Sequence, residues 1–155
     1  MSTSAPVAPR TEPDSKARLR LWLRLLRLTR NIESGLRENL RRDFSTTLPR
    51  FDVMAALSRH RDGLKMSQLS GVLRVSNGNV TGIIDRLVEE GHVERRAVAG
   101  DRRASHVCLT EAGQAEFARQ AAAHESWIDA ALADLAPEEA QEMAGRIAQL
   151  MKKEG

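Results

Sequence analysis

Apolar residues recur at helical spacing along most of the chain. Between Ser15 and about Asp43 there is no proline. There Leu19, Trp22, Leu23 and Leu26 interleave with Leu21, Leu25, Leu28, Ile32 and Leu36, a period of three to four residues that predicts one long helix. Its apolar positions cover much of the girth, so the helix needs partners on several sides, and a second copy of the chain is one way to supply them. Thr46-Thr47-Leu48-Pro49 interrupts the pattern with a proline suited to a first helical turn. Phe51, Val53, Met54 and Leu57 then carry a second helix to about His60, closed by Arg61-Asp62-Gly63. Ser67 precedes Gln68, Leu69, Val72 and Leu73, a short third helix. Arg74-Val75-Ser76 separates it from a fourth helix over 77–90 with Val80, Ile83, Ile84, Leu87 and Val88 facing inward, and Gly91 stands where a left-handed cap would end it.

The period then changes. Residues 92–96 and 105–109 are two short strand-like runs, and the eight residues between them, Ala97 to Ala104, read as the basic tip of a hairpin. Thr110 and Glu111 favour a helix start, giving a fifth helix to about Leu135, and Pro137 with Glu138 and Glu139 opens a sixth that ends near Lys152. The first 14 residues carry Pro6, Pro9 and Pro13 among small polar residues and show no periodicity, the composition of a disordered tail.

Length bounds the answer to one compact architecture, since 155 residues bury one core and leave little for a second. The net charge is only +3, from 24 Lys and Arg against 21 Asp and Glu, but the basic residues are mostly Arg and they cluster. A local basic face attracts phosphate even where the whole chain is mildly cationic, although a solvated helix face has the same composition. Cys108 is the only cysteine, so neither an intrachain disulfide nor a Cys-based zinc site is expected, and a reducing cytoplasm fits. With no signal-like or membrane-length apolar run, no membrane association is expected. No zinc-helix motif, nucleophile elbow or phosphate-binding glycine loop occurs and the four His are scattered, so neither catalysis nor a cofactor or metal is expected.

A short helix, a three-residue turn, a second amphipathic helix and a small hairpin together predict a mainly α protein with a small β-hairpin wing, a winged helix-turn-helix. In that arrangement the second helix enters the major groove of double-stranded DNA and the basic hairpin reaches phosphate or the neighbouring minor groove. The candidate DNA contacts are Ser67 on the third helix, Ser76, Asn77, Asn79, Thr81 and Arg86 on or beside the fourth, and Arg102 and Arg103 on the wing. Ser76 serves equally as a helix cap. Asn77 and Asn79 are ordinary surface residues on the plainer reading, yet they flank Gly78, and neither Asn nor Gly favours a helix. Gly78 and Gly82, each costing about 1 kcal/mol in a helix, suggest close packing or close approach of DNA. Asp101 beside Arg102 and Arg103 reads as a brace for the wing, because an anion facing phosphate is repelled.

The segment DRLVEEGHVERRAVAGDRRASHVCLTEAG, Asp85 to Gly113, resembles the signature of the MarR family of bacterial regulators, and the resemblance extends over Ser15 to Lys153. It implies a homodimer in which the first, fifth and sixth helices of two chains interlock. On that plan 1–14 is the tail, 15–48 and 110–153 form a helical dimerisation region, and 49–109 form the winged helix-turn-helix. It also implies a pseudo-palindromic operator, with Arg103 as the wing arginine, Arg102 beside it and Asp101 as the wing aspartate. Asn77-Gly78-Asn79 departs from the commonest family pattern, where Ser, Thr and bulkier residues are more usual. A narrower group is similar at Thr47-Leu48-Pro49-Arg50-Phe51-Asp52, at Gly78-Asn79-Val80-Thr81 and at His124-Glu125-Ser126-Trp127. That group implies a repressor of aromatic-acid breakdown, released by an aryl or hydroxycinnamoyl coenzyme A thioester.

For such an effector the candidate residues are Arg20, Trp22, Arg24, Arg27, Arg50, Asp52, His124 and Trp127. Arg20, Arg24 and Arg27 share one helix stripe, which reads as a solvated face or as a cationic lining for an anion. Trp22 and Trp127 read first as core or dimer interface and second as ligand stacks. Cys108, alternating with Val107 and Leu109, reads as a small buried residue, with oxidant sensing the lesser alternative. Sensing of a free phenolic acid and a winged helix reduced to protein interaction complete the alternatives. The latter sits poorly with Asn77, Asn79, Arg102 and Arg103.

Overall fold

A computed structural model of the chain describes residues 13–73, 77–98 and 100–152, with the side chains of 72, 73, 77, 78, 98 and 101–104 outside the description. Among the described residues six helices and three strands follow the order predicted from periodicity, with one strand added: α1 (Asp14–Phe44), α2 (Leu48–Ser58), β1 (Leu64–Lys65), α3 (Met66–Leu73), α4 (Asn77–Glu89), β2 (Val93–Val98), β3 (Asp101–Leu109), α5 (Glu111–Ala131) and α6 (Pro137–Lys152). The chain divides into two units, Met1–Gly35 and Leu36–Gly155.

In the first unit the described residues are the opening turns of α1. Leu19, Leu21, Trp22, Leu23 and Leu28 are exposed there, so the apolar girth seen in the sequence is real and largely uncovered within one chain.

The second unit is built around α2, which buries six of its 11 residues: Leu48, Phe51, Val53, Met54, Ala56 and Leu57. Its start is set by Thr47, whose hydroxyl accepts the Arg50 N–H at 3.3 Å, with Pro49 in the first turn where no N–H is needed. Leu69 of α3, Val80, Ile84 and Leu87 of α4, and Leu64, Val93, Val107 and Leu109 of the strands close the core over it. The expected inward face of α4 is thus the buried one, with Ile83 and Val88 partly buried at its edges. α4 ends in a Schellman motif: Gly91 has φ +77°, its N–H reaches the Val88 carbonyl at 3.0 Å, and the His92 N–H reaches that of Leu87 at 3.0 Å.

Three features depart from expectation. β1 is absent from the pattern because two residues show no alternation, yet Leu64 pairs with Val107 and Lys65 with His106, giving an antiparallel sheet of order β1-β3-β2. Most of the loop expected over 97–104 is strand: β2 runs on to Val98 and β3 begins at Asp101, with Gly100 at φ +87° just before it, while Ala99 lies outside the described residues. β2 and β3 pair from Val93↔Leu109 to Ala97↔Ser105, then step to Val98↔Asp101. Arg102, Arg103 and Ala104 therefore lie in strand β3 without register partners on β2, a bulged strand instead of a basic loop. Local composition hides this, because Arg-Arg-Ala has no strand signature of its own and the partner strand imposes the conformation. Finally, α5 stops at Ala131 instead of Leu135. The residue before a proline disfavours helix, and α6 sets its own start when Glu139 accepts the Ala136 N–H at 3.1 Å.

Candidate nucleic-acid interface

The outer side of α4 carries what its inner side does not. Val80, Ile84 and Leu87 are fully buried, whereas Asn79, Thr81, Gly82 and Arg86 are exposed. Asn79, Gly82 and Arg86, at spacings of three and four, line one open groove with Ile83 and with Thr47, Pro49 and Arg50 from the start of α2. A Cβ on Gly82 would meet nothing within 4 Å, so packing inside the chain does not call for this glycine. It leaves a shallow place on the one helix face that points away from the core.

Other expected contacts are placed less fully. Ser67 is exposed in the first turn of α3. Asn77 begins α4 and Asp101, Arg102 and Arg103 lie in β3, but their side chains are outside the description, and Ser76 lies outside the described residues altogether. The brace expected between Asp101 and an arginine falls in that same region.

Charged side chains tie α4 to its neighbours. Glu90, one residue past the helix, accepts at one oxygen from both Arg50 Nη1 of α2 and Arg86 Nε of α4, each at 3.0 Å. Its other oxygen lies 3.5 Å from His92 Nδ1. Asp85 of α4 pairs with Arg95 of β2, and Arg96 donates from Nε to Glu94 at 2.6 Å. On exposed Arg96 that hydrogen bond, followed by the Glu94 charge, raises the guanidinium pKa further above its ordinary range. Arg50 thus lies in the α4 groove, tied to Glu90. Glu90 and Arg95 were missed by sequence reasoning, although Arg86 and Glu90 stand at helical i, i+4 spacing.

The joint behind α4 depends on one glycine. Thr110 caps α5 by accepting the Gly113 N–H at 3.0 Å, donates its hydroxyl to the Gly91 carbonyl at 2.6 Å, and its own N–H reaches the His92 carbonyl at 3.0 Å. A Cβ on Gly113 would sit 1.9 Å from that His92 oxygen. The incomplete capping signal in the sequence, Gly113 where a capping box has Glu, is therefore a contact between backbones.

Residues expected around an effector fall into two groups. Arg20, Trp22, Arg24 and Arg27 are exposed on α1 within the first unit. In the second unit His124 stacks on Phe51 at 4.8 Å and 24°, Phe51 meets Phe117 at 5.6 Å, and Trp127 meets the edge of Phe44 at 6.2 Å with Arg119 over the Phe44 ring. Asp52 is exposed on α2. Gln120, on the same side of α5 as Phe117 and His124, is 3% exposed and its Oε1 has no partner among the described residues. Cys108 is buried against Gly63, whose Cβ would approach its sulfur to 2.7 Å. Among the described residues no group of His, Cys, Asp and Glu is placed to hold a metal ion, and no helix is long and apolar enough to cross a membrane.

Comparison with known proteins agrees with this architecture. A family model described as MarR family matches residues 44–104, from the end of α1 into the first residues of β3. An HTH-type transcriptional regulator of Bacillus cereus is 31% identical over 127 residues, covering 79% of this chain and 80% of that protein. The transcriptional repressor MprA of Escherichia coli is 35% identical over 100 residues, covering 62% of this chain and 56% of MprA. Among solved structures, a MarR family transcriptional regulator from Silicibacter pomeroyi superposes with a TM-score of 0.75 at 30% identity, covering 94% of this chain and 100% of that one.

Proposed function

The chain belongs to the MarR family of DNA-binding transcriptional regulators, and from that premise we propose that it acts in the cytoplasm as a homodimeric repressor of aromatic-acid catabolic genes, released from a pseudo-palindromic operator by an aryl coenzyme A thioester. It is a regulator and not an enzyme, as its relatives are. The observation that carries the reading is the outer face of α4, where Asn79, Gly82 and Arg86 line an open groove while the opposite face is fully buried. Amide and guanidinium groups on an exposed helix face are what base edges and phosphates accept. Arg102 and Arg103 on the wing supply phosphate contacts, and Ser67, Ser76, Asn77 and Thr81 complete the surface.

Dimerisation through 15–48 and 110–153 is supported by uncovered apolar surface at both ends of the chain. On α6 no residue is buried, and Met143, Ile147, Leu150 and Met151, at spacings of four, three and one, are 42–67% exposed. Such a stripe is stable in water only against a partner. Two recognition helices then reach successive major grooves, about 34–36 Å apart. The effector reading is supported by the similarity at residues 47–52, 78–81 and 124–127, by the arginine stripe of α1, and by the aromatic pairs Phe51–His124 and Phe44–Trp127.

The test is fluorescence anisotropy on a duplex selected from a random pool, titrated with p-coumaroyl coenzyme A. Release at micromolar thioester but not with free coenzyme A is expected. Binding that ignores the thioester discards the effector and keeps the regulator, and failure to select any duplex discards DNA recognition. Arg103→Ala is expected to weaken binding to every sequence, and substitution of Asn79 to change sequence preference.

A further inference from the structure

Glu90 stands where helix electrostatics disfavour it. It follows the last residue of α4, its N–H bonded to the Arg86 carbonyl at 3.1 Å, so its carboxylate adds to the negative end of the helix dipole, where Glu89 already sits. The Arg86 to Glu90 order also places the cation N-terminal to the anion, the weaker orientation for an i, i+4 pair. Helix stability therefore does not account for this side chain. Its surroundings do: Arg50 is 19% exposed, Glu90 29% and His92 23%, whereas Arg86 is 59% exposed. The carboxylate lies half-buried between α2 and α4, with Arg86 reaching out of the cluster.

We propose that Glu90 is a positioning residue for operator selectivity: its one carboxylate, shared by Arg50 of α2 and Nε of Arg86, holds the recognition helix against α2 and sets the Arg86 guanidinium on the outer face of α4. The inference rests on reading α4 as the DNA-contacting helix. Held through Nε, Arg86 keeps its two Nη nitrogens, the pair that grips a guanine edge or a phosphate end-on, out of the Glu90 hydrogen bond. Nη1 is 3.7 Å from Glu89, beyond hydrogen-bond length. An arginine restrained before DNA arrives loses less side-chain freedom on binding than one that waves in solvent, and the restraint favours the sequence that fits its set position.

The test compares the full chain with Glu90→Gln, Arg50→Gln, Arg86→Ala and the double variant Arg86→Ala/Glu90→Gln, measuring affinity for the selected duplex and for a scrambled duplex of equal length. Glu90→Gln removes a negative charge near phosphate, so scrambled DNA is expected to bind as tightly or more tightly, while the ratio of selected to scrambled affinity falls about tenfold. Arg50→Gln, which cuts the α2 side of the clamp, is expected to lower the same ratio. Arg86→Ala alone is expected to lower it, and the double variant no further. Glu90→Gln loses the ion pair with Arg50 but also the unfavourable charge at the end of α4, so its melting temperature is expected to fall no further than that of Arg50→Gln while its selectivity falls at least as far, a split that a purely structural role does not produce. A ratio unchanged by Glu90→Gln but lowered by Arg86→Ala overturns the positioning role and leaves the DNA reading intact, as do losses that add fully in the double variant. A ratio unchanged by Arg86→Ala overturns the contact itself, and the inference with it.

Discussion

Two glycines show how differently the same residue type is used in this chain. At Gly113 an alanine methyl would be driven to within 1.9 Å of the His92 carbonyl oxygen, and neither backbone can yield without parting α5 from the sheet. Gly113→Ala is expected to lower stability by at least about 2 kcal/mol, read from thermal unfolding by circular dichroism. At Gly82 the methyl would meet nothing within 4 Å, and the helix itself gains about 1 kcal/mol from the exchange. Gly82→Ala is therefore expected to raise the melting temperature while weakening operator binding, because the added carbon stands on the outer face of α4. A stabilised variant with unchanged affinity would show that DNA does not come close at this point. The sequence marks both positions only as glycines in or near helices, and the distinction between a forced contact and an open surface is made by what lies across from each. Ser45 adds a third case, a non-glycine in the left-handed region at φ 51° after the end of α1. Conversion to Gly is expected to stabilise the chain by about 1 kcal/mol in the same assay.

Between elements, the strengths of the ties differ enough to rank them. The Asp85–Arg95 pair joins α4 to β2, but its side chains are 56% and 40% exposed, and solvent screening leaves such a pair worth under about 1 kcal/mol. Thr110 does more, since one side chain caps α5 and bonds the Gly91 carbonyl at the end of α4. Thr110→Ala is expected to cost about 1–2 kcal/mol, with Thr110→Ser recovering most of it because the hydroxyl is kept, as measured by urea denaturation. This joint was only half legible: Thr110 and Glu111 mark a helix start, while the partner carbonyls at Gly91 and His92 lie 19 and 18 residues back, at the far end of the hairpin. The extension of β2 to Val98 and the bulge at Arg102 to Ala104 were hidden for the same reason, as strand pairing is a property of two segments and neither carries it alone.

At the scale of the molecule, the apolar stripes of α1 and α6 lack the cover that the α2 core has. Leu150, at 61% exposed, lies in the α6 stripe, so Leu150→Glu is expected to shift the chain from dimer to monomer in sedimentation velocity and to lower operator affinity at least tenfold, since two half-sites are no longer held together. A monomer that binds DNA as well as the parent would separate the stripe from the regulator's action. Helix number and order, the buried face of α4, the helix start at Pro49, the cap at Gly91 and the family itself were determined by sequence alone, because apolar period and turn chemistry are local properties that survive without a partner. The tertiary structure decided the rest: that Glu90 gathers Arg50 and Arg86, that β1 completes the sheet, that Gly113 admits a backbone, and that Arg102 and Arg103 sit in a strand. Apart from the Arg86–Glu90 pair, these join residues that no single helical or strand period spans, and such contacts are chosen by the packing of the core, which no window of neighbouring residues contains.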